Sequence, residues 1–372
     1  MRHIIVYKDP GLYVAFPSIA RLPNGDLLVS FREAGQLSVD RARTGTHTHL
    51  DPDVRVCLLR STDNGETWDP ATKTVIYDEG LDTGATLSVL SDGVIVAGLN
   101  NLWKLASANQ RAEVGGHLHF HNPETGLVGR VMGCASRRSF DGGQTWAKEL
   151  VWVEFPAGAG PACDARTGVT ELADGSLIWA LCDHDVGRSV RAWLVHSFDR
   201  GATWGDPHLI AADPRGSQGY YAAINFSEPH ILPLAGGRVI ALLRTDPQDS
   251  PGEGYLYQAD SPNWGIEWRP YRRTPMWGHP PHLLQLRSGA VLCTYGHRRP
   301  PYGVRACLSH DGGATWDIEH EAVLRADGLG RDLGYPYSVQ LPDDTILTVY
   351  YIYLEDGVRH IAGTFWREEE RG

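Results

Sequence analysis

This sequence lacks long apolar runs, metal-type cysteine pairs and an excess of basic residues. No run approaches the roughly 18–20 consecutive apolar residues that a membrane-spanning helix requires. The six cysteines form no C-x-x-C pair, so they do not resemble a zinc site. Acidic residues outnumber basic ones by 45 to 34, whereas a nucleic-acid-binding surface requires a basic excess. We therefore expect neither a membrane nor a nucleic acid as a partner.

Methionine is also scarce, with three residues against 12 tryptophans, 42 glycines and 23 prolines. A composition rich in turn formers and tryptophan favours sheets over helical bundles. The chain opens on the strand-like segment Met1–Tyr7, without an apolar stretch that ends at a small-residue cleavage site. Together with the scattered cysteines, this predicts a cytoplasmic protein with free, buried thiols.

One octapeptide with the pattern S-x-D-x-G-x-T-W occurs four times, and a fifth copy is degenerate. Its Ser and Asp side chains can bond the backbone of a tight turn, its Gly accepts a positive φ, and its Trp can pack between sheets. This pattern predicts a folding device and makes its aspartates poor catalytic candidates. The copies are Ser61–Trp68, Ser139–Trp146, Ser197–Trp204, Ser309–Trp316 and the degenerate Ser261–Trp268.

A second element, an apolar hairpin with a short polar turn, occurs six times. Its turns are Asn24-Gly25, Asp92-Gly93, Asp174-Gly175, Gly236-Gly237, Ser288-Gly289 and Asp343-Asp344. Six units of hairpin, strand, octapeptide and strand predict an all-β six-bladed β-propeller of four-stranded antiparallel blades. We expect residues 1–372 to form one domain, with His3–Tyr7 supplying the last strand of blade six.

Polar residues concentrate where the predicted inner strands begin and where the second strands end. Both long insertions, 33–53 and 100–130, connect second to third strands, so they lie on this same face. Such convergence at a channel mouth predicts the functional site. The inner strands contribute Asp82, Arg166, Glu228, His230, His279, His282, Tyr335 and Tyr337, and the loops Arg32, Arg41, Arg43, Asp183, His184, Asp185, Arg244, His297, Arg298, Arg299 and Arg305.

The octapeptide is identified as the Asp-box, or BNR repeat, and the six-unit pattern resembles the sialidase (neuraminidase) superfamily over essentially the whole chain. The resemblance implies that Glu228 polarises a tyrosine nucleophile. The nucleophile is then Tyr337, with Tyr335 as the alternative, and Asp82 is the acid/base. A phenol with a pKa near 10 is a weak nucleophile, so a neighbouring carboxylate is needed to activate it.

The resemblance also implies three arginines that bind the substrate carboxylate. Arg244 matches the second, and Arg298 or Arg305 is the third. The first is absent, because Ala15 stands at its position in Val14–Pro17. Further candidates for contact with substrate or for replacing the lost arginine are Arg32, Arg41, Arg43, Arg166, His230, His282 and Tyr335.

The histidines leave a different chemistry open. His47 with His49, and His117 with His119 and His121, are spaced as chelating pairs on a strand, although we interpret them as polar residues lining a wet cleft. His230 and His282 occupy matching inner-strand positions, where each is a general base, a sugar-binding residue or a structural histidine.

The sequence therefore predicts an exo-acting, retaining, sialidase-like glycosidase for the non-reducing end of an acidic glycan. It assigns no metal ligands and no cofactor. Two alternatives remain: a uronic-acid lyase or other glycosidase that uses His and Tyr on the same face, and a non-catalytic propeller that binds a glycan or a protein.

Overall fold

Alternating β-branched and turn-forming segments fold into six antiparallel sheets in a computed structural model of the chain. The sheets are successive along the sequence, apart from the N-terminal strand β1 (Arg2–Tyr7), which joins the last one. The structure describes residues 1–44, 51–107, 120–122, 126–163, 165–184, 188–245 and 253–370.

The first three blades lie between residues 13 and 211. Blade one contains β2 (Tyr13–Arg21), β3 (Leu27–Ala34), β4 (Arg55–Ser61) and β5 (Thr74–Tyr77), with helix α1 (Gln36–Thr44) between β3 and β4. Blade two contains β6 (Leu81–Val89), β7 (Ile95–Ser107), β9 (Leu127–Ser139) and β10 (Val151–Trp152), and β8 (Phe120–Asn122) pairs with β9. Blade three contains β11 (Ala162–Cys163), β12 (Thr170–Glu171), β13 (Leu177–Asp183), β14 (Arg191–Ser197) and β15 (Gly205–Ala211).

The last three blades are more regular. Blade four contains β16 (Ser227–Pro233), β17 (Val239–Arg244), β18 (Tyr255–Ser261) and β19 (Arg272–Trp277). Blade five contains β20 (Pro281–Gln285), β21 (Val291–His297), β22 (Tyr302–Ser309) and β23 (Ala322–Gly328). Blade six contains β24 (Gly334–Gln340), β25 (Ile346–Ile352), β26 (His360–Trp366) and β1. Short 3₁₀ turns lie at Pro70–Thr72, Gly216–Gln218, Tyr220–Ala222, Ala235–Gly237 and Ile318–His320.

The predicted six-bladed propeller is thus confirmed, as is its closure by the N-terminal strand. Strand β1 pairs antiparallel with β26, with Arg2 opposite Phe365 and Ile5 opposite Ala362. Closure thus joins the two ends of the chain in one blade, with β1 as the outer edge strand of that sheet.

The octapeptides form the predicted turns. In the first copy, Ser61 Oγ donates to Asp63 at 2.7 Å, and the Gly65 amide donates to Ser61 Oγ at 2.9 Å. The Trp204 indole of the third copy bonds Ser136 Oγ of blade two at 2.8 Å. The repeat therefore closes its own turn, and in this copy it also links neighbouring blades.

Apolar side chains fill the seams between blades, and Leu27 of blade one belongs to the same buried cluster as Leu347 and Phe365 of blade six. The six cysteines are buried and free, as predicted. Three of them, Cys57, Cys134 and Cys307, occupy third strands of their blades. Among the described residues, no helix has the length and apolar character needed to cross a bilayer.

Candidate functional site

Glu228 lies at the start of β16, where a bulge interrupts the pairing with β17. Its φ of 44° is left-handed, and only 3% of the residue is exposed. The Tyr335 hydroxyl donates to Glu228 Oε1 at 2.6 Å, and Arg166 Nε donates to the same oxygen at 3.3 Å. Arg244 Nη1 donates to Oε2. A buried carboxylate is thus held by one phenol and two guanidinium groups: Tyr335 of blade six, Arg166 of blade three and Arg244 of strand β17.

Tyr335 lies at the matching position of blade six. Its φ of 51° coincides with a bulge between Gly334 and Tyr337 in the pairing of β24 with β25. Its hydroxyl also accepts a hydrogen bond from Arg244 Nη1 at 2.9 Å. The Arg166 and Arg298 guanidinium carbons lie 4.4 and 5.1 Å from the ring centroid, within the range of cation–π contacts.

Three blades supply the arginines of this site. Arg166 follows β11 of blade three, Arg244 ends β17 of blade four, and Arg298 follows β21 of blade five. Arg298 is oriented by its Nε, which donates to the Leu333 carbonyl at 2.9 Å. We call Glu228, Tyr335, Arg166, Arg244 and Arg298 the charged cluster.

The electrostatics of the charged cluster favour an ionised glutamate beside a neutral phenol. Burial acts to raise the pKa of Glu228, but the charges of Arg244 and Arg166 and the Tyr335 hydrogen bond lower it to about 2. Burial, followed by the charge of Glu228, raises the pKa of Tyr335 to about 12. The carboxylate is therefore in the form that accepts the proton of the phenol.

The predicted pairing of Tyr337 with Glu228 is wrong, because Tyr335, the predicted alternative, is the tyrosine that bonds the carboxylate. The bulge breaks the two-residue alternation that would place both tyrosines on one face. Tyr337 reaches across the propeller axis, where its hydroxyl accepts from the Gly168 amide of blade three at 3.3 Å. Gly168 leaves room for this approach, since a Cβ there would lie 3.2 Å from the hydroxyl.

Tyr337, His230 and His282 form a second group, which we call the channel cluster. The ring centroids of His282 and Tyr337 are 3.9 Å apart, and those of His230 and His282 are 4.6 Å apart. His230 Nδ1 accepts from the Leu283 amide at 3.2 Å, which links blades four and five. Burial lowers the pKa of His230 to about 3, lowers that of His282 well below 6.5, and raises that of Tyr337 to about 12. All three groups are neutral near pH 7.

Of the two arginines predicted as alternatives for the third substrate contact, the structure places only Arg298 in the charged cluster. Arg305 lies on β22 opposite Tyr295. Its Nη1 donates to the Arg325 carbonyl at 2.6 Å, and its Nε lies 3.5 Å from Glu321. Arg305 thus belongs to the outer part of blade five, and its predicted contact with substrate is corrected.

Arg32 is fully buried on β3 opposite Ala15, as Arg244 lies opposite Ser227 in blade four. Its guanidinium carbon lies 5.4 Å from the Tyr13 ring centroid and 6.0 Å from that of Phe16. Arg32 therefore lies beside the aromatic rings of blade one.

Other predicted residues lie farther from the charged cluster or outside the described part. Arg43 pairs with Asp40 of helix α1 at 3.7 Å, and the carboxylate of Asp183 pairs with Arg191. Asp82 belongs to β6, but its side chain is outside the described residues. So are Asp185 and the side chains of His47, His49, His117, His119 and His121.

Sequence reasoning missed the role of Phe16 as a wall of the site. The Phe16 ring packs edge-on against Tyr335 at 4.7 Å, and its centroid is 5.1 Å from the Arg166 guanidinium carbon. Its φ of 56° matches those of Glu228 and Tyr335, and a proline follows all three residues. The shared X-Pro pattern was the signal that could have identified this position.

His279 also lies within reach of the site's charges. Only 1% of it is exposed. Burial and the positive charges of Arg244 and Arg298 lower the pKa of His279 well below 6.5. It can therefore serve as a neutral hydrogen-bonding group beside the arginines.

The BNR repeat-like domain family matches residues 117–349. A curated protein from Bacteroides fragilis (strain YCH46), named sialidase, is 24% identical over 364 residues, covering 90% of this chain and 60% of that protein. The chain thus spans about three fifths of the length of that relative.

Two solved structures share the fold. A protein of unknown function from Dyadobacter fermentans DSM 18053 has a TM-score of 0.81 and 27% identity, covering 98% of this chain and 97% of that one. The Hadza microbial sialidase Hz136 has a TM-score of 0.63 and 19% identity, covering 97% of this chain and 66% of that one. At that identity, the second likeness concerns the fold alone.

Proposed function

Because the chain belongs to the BNR repeat-like domain family and has the propeller fold of the sialidase superfamily, we propose that it is a glycoside hydrolase. We further propose that it is exo-acting and retaining, and that its substrate is an anionic, sialic-acid-like glycan. The observation that carries the proposal is the 2.6 Å hydrogen bond from Tyr335 to an ionised, buried Glu228. The likeness to the Bacteroides sialidase supports a glycosidase more generally.

In the proposed reaction, the Tyr335 oxygen attacks the anomeric carbon while its proton passes to Glu228. The bond from that carbon to the leaving oxygen breaks, and a carboxylic acid protonates the leaving group. We assign this acid to Asp82, at the start of β6. Water then attacks the same carbon and gives a proton to the Asp82 carboxylate, the bond to the Tyr335 oxygen breaks, and Glu228 returns its proton to Tyr335. The two inversions together retain the configuration.

The arginines of the charged cluster are proposed to bind the substrate carboxylate. Guanidinium groups pair with carboxylates through two parallel hydrogen bonds, which fix both position and orientation. In blade one, Ala15 stands where the sialidase pattern has its first arginine, and Phe16 follows it. We propose that Arg166 of blade three, whose guanidinium carbon lies 5.1 Å from the Phe16 ring centroid, replaces that arginine in binding the substrate carboxylate.

The lyase alternative places the chemistry on the channel cluster, where the scaffold already engages two of the polar atoms. His230 Nδ1 already bonds the next blade, and Tyr337 already bonds Gly168. These two atoms are therefore engaged by the scaffold, whereas His230 Nε2 and His282 Nδ1 make no hydrogen bond within the described residues. A lyase would release an unsaturated product that absorbs in the ultraviolet, which separates the two reactions directly.

The test is release of aryl alcohol from an aryl α-sialoside by wild type, Glu228→Gln and the matched control Glu253→Gln. Glu253 is an exposed carboxylate paired with Arg273 at 3.3 Å. We expect turnover by wild type and the control, and a loss of about 100-fold or more in Glu228→Gln, because general-base assistance contributes about that much. No turnover by micromolar wild-type enzyme would overturn the sialic-acid assignment. An unsaturated product from a polyuronate would instead establish the lyase, and binding without turnover a lectin-like propeller.

A further inference from the structure

Two histidines and an aspartate meet on the outer strands of blade three. His196 lies on β14, and Asp206 and His208 lie on β15. His208 Nε2 is 3.1 Å from Asp206 Oδ2, and His196 Nδ1 is 3.7 Å from the same oxygen. The potential ligand atoms of the three residues all lie within 4.8 Å of one another.

These separations match the coordination sphere of a small divalent metal. Tetrahedral zinc has bonds of about 2.0–2.2 Å to nitrogen and oxygen, which places neighbouring ligand atoms about 3.3 Å apart. The two nitrogen–oxygen distances of 3.1 and 3.7 Å lie on either side of that value. A metal could therefore enter with small side-chain adjustments.

One potential ligand atom of this group has no hydrogen-bond partner within the described residues. His208 Nε2 is shielded from solvent and makes no hydrogen bond within the described residues, although Asp206 Oδ2 is near. His196 Nδ1, in contrast, donates to the Asp206 backbone carbonyl at 3.3 Å, a hydrogen bond that metal binding through this nitrogen would replace. A buried imidazole nitrogen without a hydrogen bond is costly, and a metal ion would satisfy it.

We propose that His196, Asp206 and His208 bind a divalent transition metal of the zinc class. Two imidazole nitrogens and one carboxylate suit zinc, nickel or copper, whereas calcium and magnesium prefer oxygen ligands alone. Asp206 is half-exposed, which leaves a path for the metal and a position for water.

The site lies away from the proposed catalytic centre. His196 directly precedes Ser197, the first residue of an octapeptide turn, whereas the charged cluster gathers where inner strands begin. The pairing of β14 with β15 is irregular between Leu194 and His196. The metal would therefore tie β15 to β14 and stabilise the rim of blade three without entering the reaction.

The experiment is titration of the metal-free protein with Zn²⁺ by calorimetry and with Co²⁺ by visible absorption. It compares wild type, His208→Ala, Asp206→Asn and the matched control His320→Ala. His320 is an exposed histidine that also pairs with one aspartate, Asp317, at 2.8 Å. The melting temperature of each metal-free variant establishes that it folds. If His208→Ala does not fold, Asp206→Asn, a change at an exposed residue, still tests the site.

Wild type and His320→Ala should bind one more equivalent of metal than His208→Ala and Asp206→Asn. If all four bind it, wild type and His320→Ala should bind it at least about tenfold more tightly, because loss of even an outer-shell partner of a metal ligand lowers metal affinity about tenfold. Saturating Zn²⁺ should raise the melting temperature of wild type and leave that of His208→Ala unchanged. Equal stoichiometry and affinity in wild type and His208→Ala, or no binding by wild type at about 100 µM metal, would overturn the proposal.

Discussion

The charged cluster and the channel cluster are built on the same strand beginnings but have opposite character. In blades four and six, the residue before the proline, Glu228 or Tyr335, has a left-handed φ and joins the charged cluster. The residue after the proline, His230 or Tyr337, bonds the backbone of another blade. One backbone device thus separates a residue of the charged cluster from a residue of the channel cluster within three residues.

This comparison teaches that polar convergence at a propeller axis has two meanings. The charged cluster holds an ionised carboxylate among guanidinium groups, whereas the channel cluster holds neutral groups whose charged forms burial disfavours. Only the first arrangement offers both a base and a positive field for an anionic ligand. The second closes the ring by hydrogen bonds and ring packing.

The largest effect that would sharpen this contrast is the response of stability to acid. The folded-state pKa of Glu228, about 2, is below its ordinary value of 4.5. Its contribution is therefore complete above pH 4.5 and is lost as the pH falls towards 2. We expect about 3 kcal/mol of unfolding free energy to depend on this group.

Unfolding of wild type, Glu228→Gln and Glu253→Gln between pH 6 and 3 checks this expectation. Glu228→Gln should be destabilised at pH 6 by about 3–5 kcal/mol, because breaking a buried ion pair leaves the partner charges behind. It should also lose less stability on acidification than the other two proteins. If the unfolding free energy falls equally with pH in all three proteins, Glu228 does not contribute to the pH dependence of stability.

A smaller effect, on KM, should distinguish Arg298 from Arg305, the two arginines that the sequence predicted as alternatives for the third contact with the substrate carboxylate. Arg298→Lys keeps the charge but loses the planar donor pair, so KM for the anionic substrate should rise about tenfold while kcat changes little. Arg305→Lys is the matched control, since Arg305 bonds Glu321 and the Arg325 carbonyl in blade five. Equal KM values for the two variants would remove Arg298 from the substrate site.

The fold was predictable from the sequence because each blade repeats its own turn chemistry. The octapeptides and polar hairpin turns specify local geometry residue by residue, and the six hairpin turns give the number of blades. Even the closing strand was predictable, because His3–Tyr7 is strand-like and precedes the first of the six units, and it pairs with β26 as expected.

The site was only partly predictable. Glu228, Arg244 and Arg298 come together as the sequence suggested, but the choice between Tyr335 and Tyr337 depended on a bulge that periodicity alone does not show. Arg305 was misplaced because strand alternation and the carbonyl of Arg325 direct its guanidinium away from the axis. The acid/base role of Asp82 stays a prediction.

The most direct measurement of the central claim is turnover of an aryl α-sialoside by Tyr335→Phe and Tyr337→Phe, with melting temperatures for both. Each change removes one hydroxyl from the same strand. Tyr335→Phe should lose about 100-fold or more in kcat while remaining folded. Tyr337→Phe should stay within about threefold of wild type and lose about 1 kcal/mol of stability, the worth of its bond to Gly168. Loss of activity in Tyr337→Phe with retention in Tyr335→Phe would contradict the account.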